Sequence, residues 1–289
     1  MGSFGSPGCR RKNLDVKTLL GHLELYPRLR GALVEQNVTV ALRIADVSAE
    51  AILLAGGARA ILLQLANPGV AAGVARHSDF SSRPLDRLNG TLTYLYVIVY
   101  GTPDERARVV SRVAAAHAPV RGDGYDARDV DLQLWVAATL YDTAMRVREL
   151  VYGPLPEIDA EQLLADYAVV GTALGVPKAV WPASIDAFDA YWRAAELRVD
   201  ADARRIADDL LHPVVAPWWV RAAMPAVRLV TAGLLEPELR AAYSLTFSEK
   251  RYRRLVRFVR AVYPRLPRAV REAPKRRYLR VFRRSISRP

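Results

Sequence analysis

Tyr94-Leu95-Tyr96-Val97-Ile98-Val99-Tyr100-Gly101-Thr102-Pro103-Asp104-Glu105 is the stretch on which the fold class turns. Its first seven residues, aromatic, aliphatic or β-branched, would by themselves suit a strand. The flanking punctuation argues for helix. Ser82 with Pro84 opens the run and Gly101 closes it only after several turns, a length strands rarely reach. Thr102-Pro103-Asp104-Glu105 is then a capping box with proline at the first helical position. Two helices meeting at a tight turn are therefore expected, the second running to about His117 before Pro119 and Gly122 break it.

The same signals recur on both sides. Ser48 precedes a helix-period run to about Ala66, closed by Pro68, and the apolar segment from Val70 to Ala75 leads into His77. Asp129 caps a long helix stopped by Gly153-Pro154, and Asp159 with Gln162 opens another that ends near Gly175. Ser184 and Asp200 begin two more. Pro225 and Gly233 cut the apolar stretch 218–235 into two expected shorter helices, and Ser248 is expected to cap a basic helix over 249–263. There is no run of alternating strands, internal repeat or glycine-rich phosphate loop. The expected fold class is all-α: a single large helical domain over 14–249, a flexible N-terminus over 1–13, and a basic amphipathic C-terminal helix and tail over 250–289.

Composition narrows the function classes. The 289 residues are 51% hydrophobic and 25% charged, enough for a sizeable core and incompatible with wholesale disorder. One cysteine, Cys9, excludes an internal disulfide framework and any multi-cysteine metal site. The net charge of +12 is concentrated: residues 250–289 hold 16 Lys or Arg against one acid, Glu272, a net +15, so residues 1–249 stand at −3. Such a tail suggests an anionic partner or surface. The most apolar region, residues 51–75, is interrupted by Arg59, Gln64, Asn67 and Pro68, so no membrane span is expected. Arg10-Arg11 has no apolar run after it, so no export signal is read and a cytoplasmic location is expected. Met1-Gly2 with Ser6 and Cys9 fits a loose lipidation pattern, against which stands a floppy terminus.

Four histidines limit metal chemistry to few nitrogen ligands: His22, His77, His117 and His212. His117 follows Val110 by seven residues and Val113 by four, continuing the inner stripe of its helix. It reads either as a hydrogen-bonded core histidine or as a ligand, and one axial histidine is all a haem requires. Arg87 and Thr91, spaced i, i+4, put a guanidinium and a hydroxyl on one side of a helix beside Leu88, Leu92 and Leu95. A salt bridge from Arg87 to Asp86 or Asp79 is the plain reading, and an anion- or oxygen-binding arginine the sharper one. His77-Ser78-Asp79-Phe80 is a polar loop at a helix end, a hydrogen-bond cluster or the rim of a pocket. No Ser-His-Asp, paired-carboxylate or His-Glu-x-x-His motif stands out.

Residues 53–68, then Val70-Ala71-Ala72-Gly73-Val74, His77-Ser78-Asp79-Phe80, Arg87 and Thr91, Arg112 to Gly122 around His117, Leu134-Trp135-Val136-Ala137-Ala138-Thr139-Leu140, Leu174-Gly175-Val176-Pro177, and Thr231-Ala232-Gly233-Leu234-Leu235 with Leu239-Arg240 together resemble the MpaB-like oxygenase family, relatives of the latex clearing proteins. The resemblance covers roughly residues 50–245. It implies a globin-like helical core holding haem b and using dioxygen on hydrophobic substrates, with His117 as proximal iron ligand and Arg87 and Thr91 on the distal side. It also implies three departures. Gly90 stands where the latex enzymes carry a lysine, Asn67 where the family often has Ala-His-Pro, and Ala137 where it has Trp-Val-His. The function read from all this is a haem-dependent oxygenase or oxidase acting on a lipid-like small molecule, with His117 as the metal ligand, Arg87 and His77 near the cofactor, and residues 250–289 holding it peripherally at an anionic membrane. The other readings are a non-catalytic haem-binding or interaction protein, which Asn67 and Ala137 would allow, and nucleic-acid binding through the tail, which no motif supports.

Overall fold

The computed structural model describes residues 41–77, 84–214 and 216–287, and the backbone alone at 84–87. The expectations for residues 1–13 and the lipidation pattern, His22, the loop Ser78-Asp79-Phe80 and the Ser82 cap lie outside the described residues. The described chain is all-α, with fourteen α-helices, a few 3-10 turns and one two-residue strand pair.

Helix α1 (Ile44–Ser48) leads through a 3-10 segment (Ala51–Gly56) into α2 (Gly57–Leu65) and α3 (Pro68–His77). The single helix expected after Ser48 is thus split. Gly56 is pressed so close to a later helix that a Cβ there would lie 2.5 Å from Thr143 Cγ2 and 2.8 Å from Val147 Cγ2, an approach open only to glycine. Helices α4 (Pro84–Tyr100) and α5 (Pro103–His117) form the expected hairpin. Its capping box is complete: Glu105 N–H donates to Thr102 Oγ1 at 3.3 Å, and Thr102 N–H donates to Glu105 Oε2 at 2.9 Å. Strands β1 (Arg121–Gly122) and β2 (Tyr125–Asp126) pair antiparallel before α6 (Val130–Tyr152), whose cap Asp129 accepts from Asp131 and Leu132 N–H.

Helix α7 (Glu157–Thr172) starts two residues before Asp159, because the Asp159 carboxylate is turned to accept from Leu42 N–H at 3.0 Å. Helices α8 (Ile185–Ala194) and α9 (Ala201–Leu211) carry the expected Ser184 and Asp200 caps. Two further expectations are corrected. Residues 218–234 form one helix, α10 (Trp218–Leu234), with Pro225 inside it. The proline leaves the Arg221 carbonyl without its helical donor, and both residues face solvent, where water can replace it. After α11 (Pro237–Ala242), α12 (Glu249–Val262) begins at Ser248, but the serine side chain makes no capping hydrogen bond. Beyond Tyr263 the chain is also helical, in α13 (Arg268–Arg271) and α14 (Ala273–Ile286).

Helix α6 divides two apolar cores. On one side Leu134, Ala137, Tyr141 and Met145 pack with Tyr94, Val97 and Ile98 of α4, Leu163 and Tyr167 of α7, and Leu279 and Phe282 of α14. On the other, Trp135 joins Leu62 and Leu63 of α2, Val74 of α3, and Ile206 and Leu211 of α9. The buried ring donors are paired: Trp135 Nε1–H reaches Leu63 O at 3.0 Å and Trp181 Nε1–H reaches Leu164 O at 2.9 Å. Helix α12 lies on α6 and α10 with Tyr252, Leu255, Val256 and Val259 half-buried. No single described helix is long and apolar enough to cross a membrane; residues 51–65 and 68–77 reach that length only as a pair bent by 104°.

Candidate functional site

The α4–α5 hairpin sets the candidate site. The two helices meet at the Gly101-Thr102 turn and pack on each other. At 1.5 Å per residue Arg87 and His117 each lie about 22 Å from that turn along their own helices. Val109 is buried, Val113 and His117 half-buried, while Ala114, Ala115 and Ala116 are exposed. His117 therefore does continue the inner stripe, but at a helix end where the ring is only partly covered. Thr91, one turn along α4 from Arg87, is half-buried, and an added Cβ at exposed Gly90 would meet nothing within 4 Å. The Arg87 side chain and its expected partners Asp79 and Asp86 lie outside what the structure describes.

His77 ends α3 on the exposed side of a clasp with the loop after α5. Its Nε2 is 2.8 Å from the hydroxyl of buried Tyr125, with the rings edge-on at 5.7 Å, and the Arg76 guanidinium lies over the same tyrosine ring at 5.4 Å. Asp79 of the expected cluster lies outside the described residues, and the partner seen for His77 is Tyr125. His212 bonds Asp208 of its own helix at 2.8 Å.

Both positions where the family resemblance implies a histidine have structural work here. Asn67 Oδ1 accepts from Gly69 N–H at 3.0 Å and Val70 N–H at 3.3 Å, capping α3. Ala137 is buried where α6 meets α7, its Cβ 3.4 Å from where a Cβ on Gly171 would stand.

Among the described residues no three or more His, Cys, Asp or Glu gather as a cluster that could hold a bare metal ion. A haem brings four of its own nitrogens and asks the protein for one axial ligand and an apolar wall. One half-buried imidazole on an apolar stripe is a donor of the kind that group needs, and Thr91 and exposed Gly90 lie on the neighbouring helix.

A charged cluster that the sequence reading passed over lies inside the protein. Arg59, fully buried on α2, donates through Nε to Leu234 O and through Nη1 to Thr143 Oγ1, both at 2.8 Å, and pairs with Asp142 at 2.6 Å. Glu236 stands 3.6 Å from its Nη2 and is itself held by Arg146 at 3.1 Å. Burial pushes the Arg59 guanidinium below its usual range and the Asp142 charge works against that. An arginine inside the apolar run 53–65 was the available signal, but its partners lie more than 80 residues away.

The basic C-terminal helices divide their charges. Glu272 takes Lys275, Arg268 and Arg276, Glu105 takes Arg283, and Glu50 takes Arg271. Arg253 pairs with Glu249 and Arg260 bonds Leu150 O, while Arg251, Arg254, Arg257, Arg277, Arg280 and Arg284 are exposed, and an open groove of about 450 Å³ along α14 is lined by Arg276, Leu279, Arg280, Arg283, Arg284 and Ser287.

Residues 45–263 match the family described as ER-bound oxygenase mpaB/B'/rubber oxygenase, catalytic domain. Uncharacterized proteins of Mycobacterium bovis and Mycobacterium tuberculosis are each 37% identical over 206 residues, covering 67% of this chain and 81% of each relative. No solved structure matches the chain significantly.

Proposed function

This chain belongs to the mpaB/rubber oxygenase catalytic-domain family, and on that premise we propose that it is a haem b-dependent oxygenase or oxidase using dioxygen on a hydrophobic, lipid-like small molecule. The observation that supports the reading is the match of residues 45–263 to that family, with His117 and the Arg87–Thr91 turn carried on the two packed helices α5 and α4. When bound, the haem supplies iron able to exchange electrons with dioxygen. His117 would hold it through one imidazole nitrogen from α5. The Thr91 hydroxyl and the Arg87 guanidinium on α4 would donate hydrogen bonds toward negative charge, on oxygen in the pocket or on a propionate. Gly90 presents no side chain there and leaves room for a small ligand. His77, drawn to Tyr125, would brace the rim rather than reach the cofactor.

The test is spectroscopic. Protein expressed with ample haem precursor should be red-brown, with a Soret band that shifts on dithionite and about one haem per chain. His117→Ala should lose most of that haem while keeping its helical circular dichroism. Full haem retention in the variant, or colourless wild type, would overturn the assignment.

The duties of Asn67 and Ala137 favour a second reading, a haem-binding protein without turnover; a haem-loaded chain that consumes no oxygen with any apolar substrate and reductant would establish it. The outward cations of α12 and α14 support docking of residues 250–289 at an anionic membrane, each contributing about 1 kcal/mol near such a surface.

A further inference from the structure

Helix α10 exposes an apolar face at its N-terminal end. Trp218 is 79% and Trp219 61% exposed, Val214 just before them is 86% exposed, and Ala222, Ala223, Pro225 and Ala226 continue the open side along the next two turns. Large side chains so placed are uncommon on a water-facing surface. Prolines at 213 and 217 bracket the approach. From Leu210 to Leu235 the sequence has no Asp or Glu, while Arg221 stands exposed within the face and Arg228 is held by Leu211 O at 3.0 Å.

We propose that this end of α10 is a membrane-inserting tip that seats Trp218 and Trp219 in the interfacial zone of an anionic bilayer. Indole rings prefer that zone because the ring is apolar and its N–H can still bond headgroups or water. The helix itself carries no acid to repel an anionic leaflet, exposed Asp208 on α9 is offset by its pairing with His212, and Arg221 can pair with a lipid phosphate beside the inserted rings. The inference adds a second element to the docking read for residues 250–289 and is physically distinct from it: arginine contacts weaken as salt screens them, whereas buried indole does not. Two such signals are what stable peripheral anchoring requires.

The sequence offers a clean readout. Of its five tryptophans, Trp135 and Trp181 are buried and Trp192 half-buried, so contact with lipid reports on Trp218 and Trp219. The full chain is mixed with vesicles of phosphatidylcholine and phosphatidylglycerol, with and without brominated acyl chains, at 0.1 M and about 0.5 M salt, beside Trp218→Ser/Trp219→Ser and Arg251→Ser/Arg254→Ser/Arg257→Ser. Wild type should show bromolipid quenching and a blue shift of emission, and should keep part of its vesicle binding at high salt. The tryptophan pair variant, altered only at exposed positions, should lose quenching and at least tenfold of the salt-resistant binding. The arginine variant should lose low-salt binding while retaining quenching at high lipid. Absence of quenching in wild type, or equal salt-resistant binding by the tryptophan variant, overturns the tip whatever the arginines do. A dimer in solution that the tryptophan pair variant dissolves would assign the face to a second copy and overturn it as well.

Discussion

Arg59 and Asp142 form a 2.6 Å ion pair in which the arginine side chain is wholly enclosed, joining α2 to the middle of α6. A buried guanidinium is tolerated because its partners are supplied by three separate segments. Removing one partner should therefore cost more than removing the arginine. Asp142→Asn is expected to lower stability by about 3 kcal/mol, since it leaves a buried positive charge with weaker compensation. Arg59→Met should cost less, because Asp142 keeps Arg146 at 3.0 Å. Urea midpoints of the two variants decide it, and the reverse order would refute the argument.

Glu272 gives the acid response of the C-terminal helices. Hydrogen bonds first from Lys275 and then from Arg268 hold its carboxyl down to about 2. A carboxyl whose folded pKa lies below its unfolded value contributes stability above the unfolded value and loses it as pH falls through the folded one. The contribution should thus fade between about pH 4.5 and about pH 2, where the unfolded chain binds the extra proton. The difference in melting temperature between wild type and Glu272→Gln should shrink across that window, and a constant difference would show the carboxylate pairs to be inert.

Changing the residues that stand where the family resemblance implies histidines should not be benign. Ala137→His places a ring where α6 and α7 already touch, and overpacking of that kind costs about 1–3 kcal/mol. Asn67→Ala removes the cap of α3 and should cost about 1 kcal/mol. Thermal melts read both, and an unchanged melting temperature for Ala137→His would mean the α6–α7 contact opens without strain.

For the hairpin site, Thr91→Val should reduce oxygen-dependent turnover on the order of a hundredfold with haem content unchanged. Arg87→Ala separates two roles: loss of turnover alone places the guanidinium beside the reacting oxygen, and loss of haem with turnover places it on a propionate. Unaltered turnover in both variants would remove the pair from the site.

Local chemistry was the readable part of this sequence. The Thr102–Glu105 box and the Asp129, Ser184 and Asp200 caps involve groups within a few residues of one another, so spacing alone discloses them. Pro225 misled because its tolerance depends on which side of α10 faces water, a tertiary fact. Leu279 and Phe282 were hidden among arginines, although together with Tyr278 and Ile286 they form a seam of helical period. The stripe leading to His117 was visible, whereas its partial cover was not, since that depends on how far α5 projects beyond its neighbours. Arg59 could be noticed from sequence but not explained, because charge compensation arrives from α6 and from Glu236.

Glu50 closes the fold across its longest spans. Its carboxylate accepts from the Tyr263 hydroxyl at 2.7 Å and from Arg271 at 2.6 Å, partners 213 and 221 residues further along the chain. At ribosomal rates of about 5–20 residues per second, Glu50 must wait about 10–45 s after its own synthesis for Arg271 to be made. During that interval the first core lacks Leu279 and Phe282, so the nascent chain carries an uncovered apolar seam until residues 273–286 emerge. Helix α14 is thus a clock as well as a wall: the first core cannot close before residue 286 has been made, and a chain stalled short of it is the species a chaperone would meet.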